Sequence, residues 1–409
     1  MGRHRSRSRI RDERIPFDKP AEVTEVKITY VSDSLQQSNK SNVSWNNTFS
    51  SVFCPRSFQR GRLARGYARF QAFDTLQALC SYLRGVLCTQ ALLKGLGVGS
   101  SEATAGAAAL TFITKDGAGM LGSLGLAWVF SDSFGTRIKA WRLFADITND
   151  IALAIDLYAP KFAPSNLFVV LICISSVLKA WCGVAAGATR AAITAHFAIN
   201  NEDIADIAAK EGSQETAVTL IGMLLGYLFL TYASDPADVQ TNLIWGLFWF
   251  LTLVHVFANY QAVRSLHFRT LDWWRIDIIL KDPENTTFES VSKEEPLIAT
   301  APSAKFPSVN VFSKQSKYFT SSTCDSVSFS EDGILVGKEA SAQDFIVACF
   351  ALRWCQLNRR RGKSKDLGKE AAIVSLSFVE LVTRLGEQGW QLEASRALLG
   401  DISENRIHL

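Results

Sequence analysis

Apolar and polar positions are distributed unevenly along the chain. Residues 1–55 are polar and rich in Ser and Asn. One alternating stretch there, EVKITYV, predicts a short strand, and the rest of the segment is expected to be disordered. Long apolar runs occupy residues 56–280. Residues 162–178, 216–234 and 239–263 hold no Asp, Glu, Lys or Arg. A helix of about 20 apolar residues crosses a bilayer, so these runs predict membrane spans. Three weaker segments precede them. Residues 75–99 are interrupted by Arg84 and Lys94, and residues 102–130 by Lys115-Asp116. Residues 141–158 are amphipathic, with Arg142, Asp146 and Asp150 at i, i+4 and i+8 on one helical face.

The fold class expected is mainly α: a multi-pass α-helical membrane bundle of about six spans over 56–280. The segment 281–317 reads as a linker. Residues 318–409 read as a small α+β domain, with a hairpin in SVSFSEDGILVG, a helix capped by Ser341, and a second helix in EAAIVSLSFVELVTRLGEQGW. No catalytic motif stands in that domain, and an enzymatic role is not expected. Basic residues flank the apolar region at Arg56–Arg69, at Arg137, Lys139 and Arg142, and at Arg264, Arg269 and Arg275, which predicts both termini on the cytosolic side. The same topology leaves the sequons at Asn39, Asn42, Asn46 and Asn285 unglycosylated.

Composition adds exclusions. A net charge of +4, with no basic stripe interleaved with aromatics, argues against a nucleic-acid partner. The eight cysteines form no C-x-x-C, and the five histidines are scattered, so no metal site is expected. The cysteines read as reduced, small apolar residues.

Gly117, Gly119 and Gly122 spell G-x-G-x-x-G. A dinucleotide loop needs a strand before these glycines and a second strand carrying an acid after them. The preceding SSEATAGAAALTFIT is Ala-rich and helical in character, so nucleotide binding is not supported. Gly183 and Gly187, Gly222 and Gly226, and Gly95 and Gly99 are each G-x-x-x-G, and Ala118 with Gly122 is a small-residue equivalent. In a bilayer such spacing lets helix backbones approach closely. A weak internal likeness pairs the stretch from Thr89 with that from Thr189, both reaching Lys-acid-Gly, at Lys115-Asp116-Gly117 and Lys210-Glu211-Gly212. Three spans per copy make a 3+3 inverted repeat, as in many secondary transporters.

Charges within apolar runs are costly and are therefore candidates for function. Lys115, Asp116, Asp146, Asp150, Arg190 and His196 form the candidate ligand or charge network. Asp146 and Asp150 are expected to neutralise Arg142 on their own helix or Arg190 across the bundle. Arg84, Lys94 and Lys179 are expected to snorkel at span ends, and His196 and His255 to be satisfied interior histidines.

The blocks FQAFDTLQALCSYLRGVLCTQALLKGLGVG, KDGAGMLG, KAWRLFADITNDIA, GVAAGATRAAITAH, NNEDIADIAAKEGSQET and ANYQAVRSL, in this order, resemble the root UVB sensitive (RUS) family. The resemblance implies a membrane-associated protein of unestablished molecular activity. Plant members are linked to seedling development, ultraviolet-B sensing, auxin transport and pyridoxal-phosphate homeostasis, and are thought to act in pairs. The family supplies no catalytic residues to carry over. Two functions are expected: a scaffold or partner in a membrane complex, with lipid and another family member or a second copy as partners, or a secondary transporter of a small anion. A pyridoxal-phosphate cofactor, held by a lysine or Arg190, is a weaker third reading.

Overall fold

Six long helices carry residues 67–264 in the computed structural model: α1 (Tyr67–Gly95), α2 (Ala105–Phe130), α3 (Ile138–Tyr158), α4 (Asn166–Phe197), α5 (Asp203–Tyr232) and α6 (Ala237–Arg264). The structure describes residues 50–97, 105–232, 237–284, 286–297, 308–312, 327–329, 333–337, 341–359 and 367–399. The strand expected at 25–31, the four sequons, Gly99 and Cys324 lie outside these residues.

Helix starts follow local chemistry. Gly66, at φ 93°, turns the chain into α1. A Cβ there would collide with the carbonyl oxygen of Ser265, so glycine is required both for the dihedral and for the close approach. Asp203 and Asp206 stand in the first turn of α5, where carboxylates favour the positive end of the helix dipole.

α1 is central. It packs on α3, α5 and α6, α3 packs on α4, and α4 carries α2 on its far side. Leu87 and Cys88 of α1, Leu153 and Leu157 of α3, and Phe248 of α6 form one buried cluster. Outward faces remain apolar: Trp128 is 86% exposed, Leu121 72% and Leu253 71%. Water-soluble chains rarely leave so much contiguous apolar surface uncovered.

Three helices are long and apolar enough to cross a membrane: Asn166–Phe197, Asp203–Thr231 and Asn242–Arg264. The weaker segments also fold as helices α1, α2 and α3, with charged interruptions inside them.

Two short helices follow, α7 (Trp273–Ile279) and α8 (Phe288–Glu294), each capped by a side chain: Asp272 accepts from the Arg275 amide and Thr287 from the Ser290 amide. α8 lies within the segment expected to be a linker. A three-stranded sheet has the order β1 (Ser308–Phe312), β3 (Gly333–Gly337), β2 (Val327–Phe329). β1 runs parallel to β3, and β2 pairs antiparallel with it, Val327 opposite Val336, as the expected hairpin requires. α9 (Ala342–Arg359), α10 (Leu367–Glu387) and α11 (Leu392–Leu398) complete the described chain. Ser341 caps α9: its hydroxyl accepts from the Asp344 amide at 3.1 Å. Leu271, Trp273, Ile276 and Val291 share one buried cluster with Phe345, Phe350, Val382 and Leu385. Buried Arg353 of α9 also grips Asp277 of α7 through two bonds of 2.6 and 2.7 Å. Residues on both sides of position 280 therefore belong to one core, because DWWRIDIIL supplies apolar side chains directly beyond the last long helix.

Candidate functional site

A cavity of about 480 Å³ opens among α1, α3, α4 and α5. Each helix turns a polar stripe toward it. α1 contributes Gln71, Asp74, Gln77 and Ser81, α3 contributes Arg142, Asp146 and Asn149, α4 contributes Arg190 and Thr194, and α5 contributes Glu211 and Glu215. Asp146 and Glu211 are buried, whereas Arg190 and Glu215 are exposed. The site thus has a charged rim and a buried carboxylate floor.

Arg142 bridges two carboxylates, Asp74 at 2.7 Å and Asp146 at 3.6 Å. Gln77 donates to the other Asp146 oxygen at 2.5 Å. At the rim Arg190 meets Glu215 at 2.6 Å and Glu211 at 4.0 Å, and Thr194 donates to Glu211 at 2.9 Å. Two arginines face four carboxylates, so the lining has an excess of negative charge. That balance is unlike the cation-rich pocket expected for a small anion.

Behind the cavity lies a second network. Arg84, wholly buried, reaches Asp150 at 2.5 Å and Thr252 at 3.2 Å, and His255 Nδ1 lies 3.1 Å from the same Asp150 oxygen. Arg84 therefore does not snorkel: it sits in the middle of α1, facing α3 and α6, where its headgroup has partners on both. Lys179 likewise pairs with buried Asp156 of α3. Asp150 is neutralised by Arg84 rather than by Arg142 or Arg190, while Asp146 does use Arg142 of its own helix.

The expected charge network is thus divided. Asp146 and Arg190 line the cavity, and Asp150 lies next to it. Lys115 and Asp116 pair with each other at 3.5 Å on α2, which packs mainly on α4 and touches α3 only near its C-terminal end, through Leu126 and Phe130. His196 packs its ring at a tilt against Phe268, centroids 4.7 Å apart, and does not line the cavity. The partners Asp74, Gln77, Glu211 and Glu215 were not singled out as ligand residues. Gln71, Asp74, Gln77 and Ser81 recur at helical spacing, and that polar stripe on an otherwise apolar segment was the available signal.

The glycines also divide. A Cβ on Gly119 would meet Ser176 Oγ at 2.6 Å, and one on Gly122 would meet Val177 at 2.9 Å, where α2 crosses α4. Gly222 and Gly226 lie as tightly against Tyr82 and Val86 of α1. Gly117, Gly183 and Gly187 have nothing within 4 Å of a Cβ, so the expectation that they pack helices is corrected. Gly187 borders the cavity, where no helix stands opposite it. Among the described residues no three His, Cys, Asp or Glu side chains converge as metal ligands.

At the base of the bundle, buried Lys139 binds Glu295 at 2.9 Å, and Arg275 binds Glu295 at 2.9 Å and Asp272 at 3.6 Å. Burial raises the Asp272 carboxyl above its ordinary range. Burial pushes Glu295 up too, but Arg275 and Lys139 together outweigh it and hold this carboxyl below its ordinary value.

The structure is thus a helical bundle with three helices long and apolar enough to cross a membrane and a cavity lined by charged side chains. The comparisons give this class a family. A family model described as a vitamin B6 photo-protection and homoeostasis domain matches residues 39–284. RUS family member 1 of Dictyostelium discoideum is 39% identical over 237 residues, 57% of this chain and 44% of that protein. Protein root UVB sensitive 3 of Arabidopsis thaliana is 41% identical over 248 residues, 60% of this chain and 54% of that protein. The chain belongs to the root UVB sensitive family. It spans about half the length of these curated relatives. No solved structure matches it.

Proposed function

We propose that this protein is a multi-pass membrane carrier whose bundle takes up a small polar molecule, and that this uptake serves the vitamin B6 homoeostasis named in the family description. In this reading all six long helices lie in the bilayer, both termini face the cytosol, and lipid covers the exposed apolar faces of α2, α4, α5 and α6. The role is binding and passage rather than catalysis.

The observation that carries the proposal is a cavity bordered by charged side chains inside an apolar-clad bundle. Ligand sites typically occupy about 300–1,000 Å³, and this one is about 480 Å³. Its walls come from α1 and α3 on one side and α4 and α5 on the other. Helices from the first three and from the last three both line it, which supports the carrier reading. A scaffold has no need of buried charges facing an interior space, because each costs free energy in a low-dielectric setting.

Proteoliposomes loaded with the purified protein test the proposal. Labelled vitamin B6 compounds are expected to enter faster than into empty liposomes, and Arg142→Ala is expected to abolish the difference. Binding without entry would make the protein a receptor rather than a carrier. Neither binding nor entry would overturn the proposal.

A further inference from the structure

The pairing inside the cavity is lopsided. Three lining atoms are buried with no hydrogen-bond partner: Asp146 Oδ2, which keeps only its ion-pair contact with Arg142 Nε at 3.6 Å, Glu211 Oε1 and Gln71 Oε1. All three are acceptors. Asp146 is 5% exposed and Glu211 6%, so these carboxylates have little water to turn to. Unmet buried acceptors cost free energy, and a donor brought by a guest relieves that cost. The lining's own cations are shared: Arg142 serves Asp74 and, at 3.6 Å, Asp146, and Arg190 serves Glu215 and, at 4.0 Å, Glu211, so two cations serve four carboxylates. A guest supplying another acceptor, such as a phosphate or carboxylate, would add negative charge where the lining already has an excess. A protonated amine supplies up to three donors and one positive charge, which matches what the floor lacks.

We propose that the molecule held in this cavity presents a protonated amine, seated between Asp146 and Glu211 and touching Gln71. The proposal rests on the carrier reading and narrows it: among vitamin B6 compounds, the amine form pyridoxamine is selected over the alcohol pyridoxine and over the anion pyridoxal 5′-phosphate. The carboxylates discriminate by charge, because pyridoxamine and pyridoxine differ only in the substituent that reaches the floor.

Calorimetric titration of the full chain in lipid nanodiscs at neutral pH, with each of the three compounds, is the test. Pyridoxamine is expected to bind at least about tenfold more tightly than pyridoxine, the scale of one charge-assisted hydrogen bond. Glu211→Gln is expected to erase most of that preference. Asp146→Asn should do the same, and the comparison of compounds on the unaltered protein needs neither variant to fold. Equal or tighter binding of pyridoxine or pyridoxal 5′-phosphate overturns the amine assignment and leaves the carrier reading standing. Binding of none of the three overturns both.

Discussion

Arg84 offers a sharp test of the packing described above. The guanidinium is wholly buried, and Asp150 beside it retains only 12% of its side-chain exposure. Thr252 accepts a hydrogen bond from Arg84 at 3.2 Å, and His255 Nδ1 lies 3.1 Å from the Asp150 oxygen. Arg84→Met keeps the length and apolar volume of the side chain but strands the Asp150 carboxylate against an uncharged neighbour. Removing one partner of a buried ion pair costs about 3–5 kcal/mol. At ~2 °C per kcal/mol, this is a fall of roughly 6 °C or more in the unfolding midpoint. Intrinsic tryptophan fluorescence of the detergent-solubilised protein during heating reads it. Arg84→Met combined with Asp150→Leu removes both charges, and the double variant is expected to recover most of the loss, because replacing a whole buried pair with apolar groups is close to neutral. A snorkelling Arg84 would behave differently: the single substitution would change the midpoint by less than about 1 kcal/mol, and the double would be no better than the single. That pattern would refute the buried network.

Other substitutions probe separate parts of the account. Gly66→Ala forces a side chain into a φ of 93° and against the Ser265 carbonyl, so it is expected to cost about 2 kcal/mol or more in the same melting assay. Gly222→Ala pushes a methyl group into the Tyr82 ring, 2.6 Å from its position, and is expected to cost about 1–3 kcal/mol. Gly183→Ala enters open space and is expected to be neutral or slightly stabilising; equal losses in both would refute the contact between α1 and α5. The pH dependence has a definite sign. Burial, then the charge of Lys139, depresses His267 below its ordinary 6.5. Its contribution is therefore complete above 6.5 and is lost as the pH falls toward its folded value. Glu295, held below its ordinary 4.5, adds a second loss in the same direction at lower pH. His267→Gln should make the melting profile shallower just below pH 6.5 and leave the lower loss intact.

Much of the helical architecture was legible in the sequence. The runs 162–178, 216–234 and 239–263 became α4, α5 and α6, because long uncharged apolar segments have few alternatives to a helix. Ser341 was legible as a cap because a hydroxyl three residues before an Asp satisfies a free amide. The candidate site was only half visible. Asp146 and Arg190 stood out as charges in apolar surroundings, but their partners depend on which helices meet, and spacing within one helix carries no such information. Arg84 and Lys179 looked like span-end charges because their carboxylates, Asp150 and Asp156, lie more than 20 residues away in sequence. Lys115-Asp116 looked central by its place in an apolar run, yet α2 packs at the side of the bundle, where the two charges satisfy each other. The shared core across position 280 was hidden because Trp273, Ile276 and Phe350 each look ordinary until their contacts are known.

Cys182 gives the central claim its most direct measurement. It is a free cysteine on α4 that lines the cavity, whereas Cys173 on the same helix lines a separate, wholly apolar pocket against α2. Thiol labelling of the protein in nanodiscs, mapped by mass spectrometry, follows both at once. Saturating pyridoxamine is expected to slow labelling of Cys182 severalfold and to leave Cys173 unchanged. Labelling of Cys182 that ignores every vitamin B6 compound, or that changes in step with Cys173, would contradict a ligand site in this cavity.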